Sequence, residues 1–137
     1  MDKNTPDLFD SIYEFNRDVT QAVRLVPMPL MAHEASFLIN AVREEIHIEF
    51  KEAVIDGDIV KQIDALIDAM YYIVGGLYRI GLTPKTARDC FEAVHACNMR
   101  KANGIRDRRE TEVESDAIKP DDWVGPEDLI INILKGD

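Results

Sequence analysis

The stretch Phe37-Leu38-Ile39-Asn40-Ala41-Val42-Arg43-Glu44-Glu45-Ile46-His47-Ile48-Glu49-Phe50-Lys51-Glu52-Ala53 decides the fold. Its apolar residues recur at three- and four-residue intervals rather than alternating, which predicts an amphipathic helix. On a wheel of about 100° per residue with Leu38 at the origin, Leu38, Val42, Glu45, Glu49 and Glu52 fall within about 40° of it. Phe37, Ala41 and Ile48 lie on one flank of that group, and Ile39, Ile46 and Ala53 on the other. Asn40, Arg43, Glu44, His47 and Lys51 occupy the opposite side, so Glu44 is read as solvent-facing. Glu45, Glu49 and Glu52 therefore interrupt the middle of an apolar arc. A buried, unpaired carboxylate is costly, and a row of them repels unless a cation or basic partner compensates.

Turn signals mark the helices on either side. Pro27 and Pro29 end a first helix over about residues 7–25, and the quoted stretch belongs to a second over about 33–55. Asp56-Gly57-Asp58 is a turn, with Asp58 placed to cap a third helix that runs to about Ile80. Gly81 stops that helix, and Thr83-Pro84 opens a fourth that runs to about Asn103. Residues 104–121 are polar and aperiodic and read as a mobile loop. Gly125-Pro126-Glu127-Asp128 opens a short last helix over about 125–135. The expected fold is all-α: one domain of residues 1–137, with a four-helix bundle core over 7–103 and a short C-terminal helix.

The whole chain of 137 residues carries a formal net charge of −10. That balance argues against a phosphate-backbone binder of nucleic acid and against an anionic membrane surface. No apolar run approaches the ~18 residues of a membrane span, and the N-terminus lacks a signal-peptide core. Cys90 and Cys97 would lie two turns apart on the fourth helix, too far for a disulfide, so they read as reduced thiols of a cytoplasmic protein. The charge is unevenly placed. The segment from Glu44 to Asp68 holds eight acids and two lysines, a net −6, whereas Arg79 to Arg109 carries a net +5.

The third helix is apolar around most of its circumference except for a sector with Lys61, Asp64, Asp68 and Arg79. That sector is either the wet side or a face set against the second helix. In the second case Asp64 and Asp68 would meet Glu45 and Glu49 in a box of oxygen ligands, which suits Mg²⁺ or Mn²⁺. In the fourth helix Ala87, Cys90, Phe91, Val94 and Cys97 form the inner stripe, continued by Asn98 and Lys101. Lys101 is then either a snorkelling lysine at a helix end or a phosphate contact. Two Glu-x-x-His pairs, Glu44 with His47 and Glu92 with His95, have the spacing of a di-iron carboxylate bundle, a lesser alternative because they lie off the apolar stripes of their helices whereas a di-iron centre needs them pointing inward. A non-catalytic helical interaction module, its acids in solvent, is the other alternative.

Arg43-Glu44-Glu45, Glu49 and Glu52-Ala53, followed by Asp64-Ala65-Leu66-Ile67-Asp68, Tyr72 and Gly75, resemble the all-α nucleoside triphosphate pyrophosphohydrolases, in particular the short MazG-like type of phages and bacteria. Glu92-Ala93-Val94-His95, Asn98-Met99 and Lys101 resemble the fourth-helix signature of that superfamily, and Glu14-Phe15-Asn16 its first-helix pattern. Where the family often spaces its acids Glu-Glu-x-x-Glu, the interval here is one residue longer. The resemblance implies Mg²⁺-dependent hydrolysis of a nucleoside triphosphate, with dGTP among the candidate substrates, to the monophosphate and pyrophosphate. It implies metal held by Glu45, Glu49, Asp64 and Asp68, with Mn²⁺ as a substitute, and a water activated by Glu49 or Glu52. It further implies substrate contacts from Phe15, Asn16, Asn98, Arg100 and Lys101, with Arg106, Arg108 or Arg109 closing over the phosphates and Trp123 either packing or covering a nearby site. A homodimer or homotetramer with sites near its interfaces is also implied.

Overall fold

The computed structural model describes residues 5–104 and 116–136. Its helices are α1 (Leu8–Asp18), α2 (Ala32–Arg43), α3 (Lys51–Ile55), α4 (Ile59–Ile80), α5 (Pro84–Asn98) and α6 (Glu127–Leu134), with two short strands, β1 (Ala102–Gly104) and β2 (Asp116–Ile118). The chain divides into two compact units, one ending at Pro84 and one beginning at Lys85. No helix among the described residues is long and apolar enough to cross a membrane.

In the first unit, α1 starts at a reciprocal cap: Asp7 accepts from the Asp10 amide at 3.0 Å, and Asp10 accepts from the Asp7 amide at 3.2 Å. It ends at Asp18, several residues before the predicted stop. The Thr20 hydroxyl turns back to the Asn16 carbonyl at 3.2 Å, Gln21 takes a left-handed φ of 53°, and the Ala22 amide folds back on the Asn16 carbonyl at 2.9 Å. Thr20 and Gln21, not the prolines, end this helix. The chain then runs irregularly along the end of α4, tied by Arg24 N–H to the Tyr78 carbonyl at 3.0 Å and by Met28 N–H to the Ile80 carbonyl at 2.8 Å. Gly81 ends α4 at φ 111°, and a Cβ there would collide with the Val26 carbonyl, so both the turn and the close approach require glycine. Fully buried Tyr78 joins α1 to α4: its hydroxyl donates to the Phe9 carbonyl at 2.7 Å, and its ring meets Tyr13 edge-on at 5.0 Å.

The predicted second helix is continuous from Ala32 to Ile55 but not uniform. Between α2 and α3, Glu44–Phe50 forms a π-helical segment, closed by hydrogen bonds one residue wider than those of an α-helix. In the second unit, α5 is followed by β1 and β2, which pair antiparallel with Ala102 opposite Ile118 and Gly104 opposite Asp116. Both ends of the predicted loop over 104–121 are thus tied together in a ribbon, and its middle lies outside the described residues. Ala87 and Cys97 of the predicted α5 stripe are buried, Cys90 is half-buried, and Phe91 and Val94 are exposed. Both cysteines are free.

Candidate active site

The arm formed by α2, the π segment and α3 runs antiparallel to α4. Phe37 meets Tyr72 edge-on at 6.4 Å, Leu38 lies over Gly76, and at the other end the Gln62 carboxamide donates to the Ala53 carbonyl at 3.3 Å. The two helices come close because Gly76 has no side chain: a Cβ there would stand 2.9 Å from Leu38 Cδ2. Gly75 does the same for α1, where a Cβ would stand 3.0 Å from Asn16 Nδ2.

This antiparallel packing brings Glu45, Glu49 and Asp68 together, with one carboxylate oxygen of each within 4.8 Å of the others. The arrangement is electrostatically expensive. Burial raises the Glu45 carboxyl to about 7, with further contributions from a hydrogen bond to Glu49 and from the charges of Glu49, Asp68 and Glu44. Burial, then the charges of Asp64 and Glu49, hold Asp68 above the ordinary aspartate range. Glu45 Oε2 is buried with no hydrogen-bond partner among the described residues. All donors are hard oxygens, one of them is orphaned, and among the described residues no cationic side chain forms an ion pair with them. That donor set fits a divalent cation such as Mg²⁺ or Mn²⁺.

Asp64 and Glu52 are placed differently from the wheel's expectation. They line an adjoining cavity of about 300 Å³ together with Glu49, Asp56 and Lys61, and neither belongs to the clustered trio. The π segment accounts for the place of Glu52. A wheel of constant step holds only for a uniform α-helix, and one extra residue in a wide turn rotates everything beyond it by roughly 100°. Glu52, which follows the segment, is carried off the face of Glu45. Glu49, inside the segment, is not: four residues along a wide turn fall near where three fall along an ordinary one. The longer interval between Glu45 and Glu49 is absorbed in this way.

Beside the trio opens a larger cavity of about 530 Å³, lined by Glu45 and Asp68 and by Phe15, Asn16, Phe37, Tyr71, Tyr72 and Arg79 among others. Phe15 meets Tyr71 edge-on at 5.4 Å. Asn16 is 5% exposed; its amide donates to the Ile12 carbonyl at 2.8 Å, and its carbonyl accepts from Thr20 Oγ1 at 3.3 Å. The sequence reading marked Phe15 and Asn16 but assigned no role to Phe37, Tyr71 or Arg79. For Arg79 the signal was available, since it shares a helical sector with Asp68.

Of the other candidates, Asn98 and Arg100 are exposed and Lys101 is half-buried, all in the second unit. Lys101 Nζ lies 5.1 Å over the Trp123 ring, Lys119 Nζ lies 4.8 Å over the same ring, and Trp123 Nε1 donates to the Cys97 carbonyl at 2.6 Å. Trp123 thus packs within its own unit. Arg106, Arg108 and Arg109 lie outside the described residues. Glu44, His47, Glu92 and His95 are all exposed, and none joins the trio, which leaves the di-iron alternative without a site among the described residues.

A family profile described as phosphoribosyl-ATP pyrophosphohydrolase matches residues 12–98. The chain belongs to that family. It thereby falls within the MazG-like all-α superfamily, whose members are nucleotide pyrophosphohydrolases, typically dependent on a divalent metal. The match covers most of α1 and all of the acidic arm, α4 and α5, and stops before Arg100, Lys101 and Trp123. No curated protein matches the chain.

Proposed function

We propose that this protein hydrolyses a nucleoside triphosphate to the monophosphate and pyrophosphate, with Mg²⁺ held by Glu45, Glu49 and Asp68. The observation that carries the reading is the trio itself: three carboxylates converging on one point, one oxygen buried and unpartnered, at the mouth of a cavity large enough for a nucleoside. When bound, Mg²⁺ supplies charge neutralisation at the phosphate oxygens and a more acidic water. Hydrolysis adds water across the α–β anhydride; that bond breaks, and pyrophosphate departs with its electron pair. Glu49, or Glu52 from the adjoining cavity that Glu49 also lines, would orient the water and accept its proton. Asp64, one turn before Asp68 on α4, adds negative charge to the acidic face and so to its attraction for a cation. The aromatic rings of the larger cavity offer a surface for a base, and Asn16 offers a fixed carboxamide for the base or sugar. Asn98, Arg100 and Lys101 are proposed as contacts to the phosphates.

Pyrophosphate release measured over ribo- and deoxynucleoside triphosphates, dGTP included, and over phosphoribosyl-ATP, with Mg²⁺ or Mn²⁺, tests the reading. Release from one or more of them supports it. No release from any, with no binding of either metal, leaves a non-catalytic helical module as the better account. We further propose a homodimer or homotetramer. Ile39 of α2 and Ile63, Leu66, Ile67 and Ile73 of α4 are large apolar side chains exposed on a single chain, more than an isolated monomer commonly leaves in water. A sedimentation measurement giving a monomer would refute it.

A further inference from the structure

Arg79 stands apart from every role above. It is half-buried in the wall of the larger cavity, and its guanidinium lies 4.8 Å over the face of Phe37. Among the described residues no carboxylate forms an ion pair with it. Eleven residues separate it from Asp68, which is three turns of α4 within about 20°, so both project from one face roughly 16 Å apart along the axis. Side chains on a helix lean toward its N-terminus, and Arg79 therefore leans toward Asp68 along a face where Gly75 and Gly76 raise no side chain from α4 itself, and Asn16 and Leu38 pack in from α1 and α2. One cavity thus has carboxylates at one end and a stacked, acid-free guanidinium at the other.

On the pyrophosphohydrolase reading, the triphosphate lies at the carboxylate end, and the opposite end of the nucleotide reaches Arg79. We infer that Arg79 is a specificity residue for a nucleotide whose end remote from the triphosphate presents paired hydrogen-bond acceptors. A guanidinium carries five donors in a rigid fork and no acceptor, so it rewards two acceptors side by side and rejects donors. Phe37 fixes the plane of the fork, which lowers the entropy lost when both bonds form. Two ligand chemistries present such acceptors: the O6 and N7 edge of a guanine, and a second phosphate group carried beyond the base.

The test is pyrophosphate release with Mg²⁺ from dGTP, 7-deaza-dGTP, dATP, dCTP, dUTP and phosphoribosyl-ATP, by wild type, Arg79→Ala and Arg79→Lys. Arg79→Ala should lower kcat/KM for the preferred nucleotide by about 10–100-fold, mainly through KM, and flatten the ranking. If guanine is the ligand, 7-deaza-dGTP is a poor substrate and Arg79→Lys does not rescue. If a second phosphate is the ligand, phosphoribosyl-ATP ranks first and Arg79→Lys rescues in part. A ranking unchanged in Arg79→Ala, or an equal loss for every nucleotide, overturns the inference while the pyrophosphohydrolase reading stands. No release by wild type from any member of the panel sinks both. Folding is checked by circular dichroism and by a retained Mg²⁺-dependent melting shift. An Arg79→Ala protein that fails that check is replaced by Arg79→Gln, judged by the same ranking.

Discussion

Glu45→Gln keeps the shape of the side chain and removes one charge from the acidic trio. In the metal-free protein the Glu45 carboxyl sits near 7, against 4.5 when unstrained, for the reasons of burial and repulsion given above. Below pH 4.5 both folded and unfolded chains hold the proton, and Glu45 costs nothing. Between 4.5 and 7 the folded protein retains a proton that the unfolded chain has lost, so its stability falls as pH rises. Above 7 the full penalty is present. At 1.36 kcal/mol per pH unit the shift sets a ceiling of about 3 kcal/mol. Because Glu45 is only half-buried and Glu49 faces solvent, water screening reduces this to ~1–2 kcal/mol. Melting followed by circular dichroism in EDTA should therefore place Glu45→Gln above wild type by roughly 3–8 °C at pH 8 and level with it at pH 4.5. Saturating Mg²⁺ should reverse the order, since ligand at 100 times its Kd adds about 2.7 kcal/mol to a protein that binds it, and the variant should not bind it well. A variant less stable than wild type at pH 8 without metal, or a difference that ignores pH, would refute the account of the trio.

Glu49→Ala and Asp68→Ala should each reduce pyrophosphate release by more than about 100-fold with helical circular dichroism intact, whereas activity surviving both would displace the metal from this trio. Gly81→Ala combines left-handed strain with a backbone collision and should cost about 3 kcal/mol or more in urea unfolding; a loss under about 1 kcal/mol would mean the Val26 segment yields freely. Arg24 Nη2 donates to both carboxylate oxygens of Glu34 at 2.9 and 3.1 Å, and Glu34 also accepts from the Met31 amide at 3.0 Å, so the Glu34 carboxyl is held below its ordinary value, by the Met31 bond first. The stability it contributes is present above pH 4.5 and lost as pH falls through the lower folded value, so Arg24→Ala should melt earlier at pH 7 and lose less on acidification. Parallel melting curves for the two proteins across that range would count against it.

Much of the helical fold was readable because its stops are chemical. Asp58 caps α4, Gly81 ends it and Pro84 opens α5, each in the role its residue type performs best. The end of α1 was not readable in this way. Gln21 is not a residue that advertises a left-handed turn, and the prolines downstream drew attention to the wrong place. The acidic face was half legible. The acids of an apolar arc announced themselves, but a wheel of fixed step could not separate Glu49 from Glu52, because the wide turn between Glu44 and Phe50 shows in the sequence only as a longer interval between acids, which does not say that the helix widens there. Arg79 was legible as a charge on the sector of Asp68, but its stacking on Phe37 was not, because that pairing exists only once two helices are laid antiparallel.

The wide turn also bears on how positions along this arm are counted. An inserted residue in a straight α-helix would rotate all that follows, and Ala53, now 1% exposed against α4, would leave its seat. The π segment takes up the extra residue within Glu44–Phe50, and the rotation it imparts seats Ala53 on α4 while turning Glu52 away from Glu45. A position on this arm is therefore counted by the α-helical step before Glu44 and again after Phe50, and by a narrower angle per residue in the interval that holds Glu45 and Glu49.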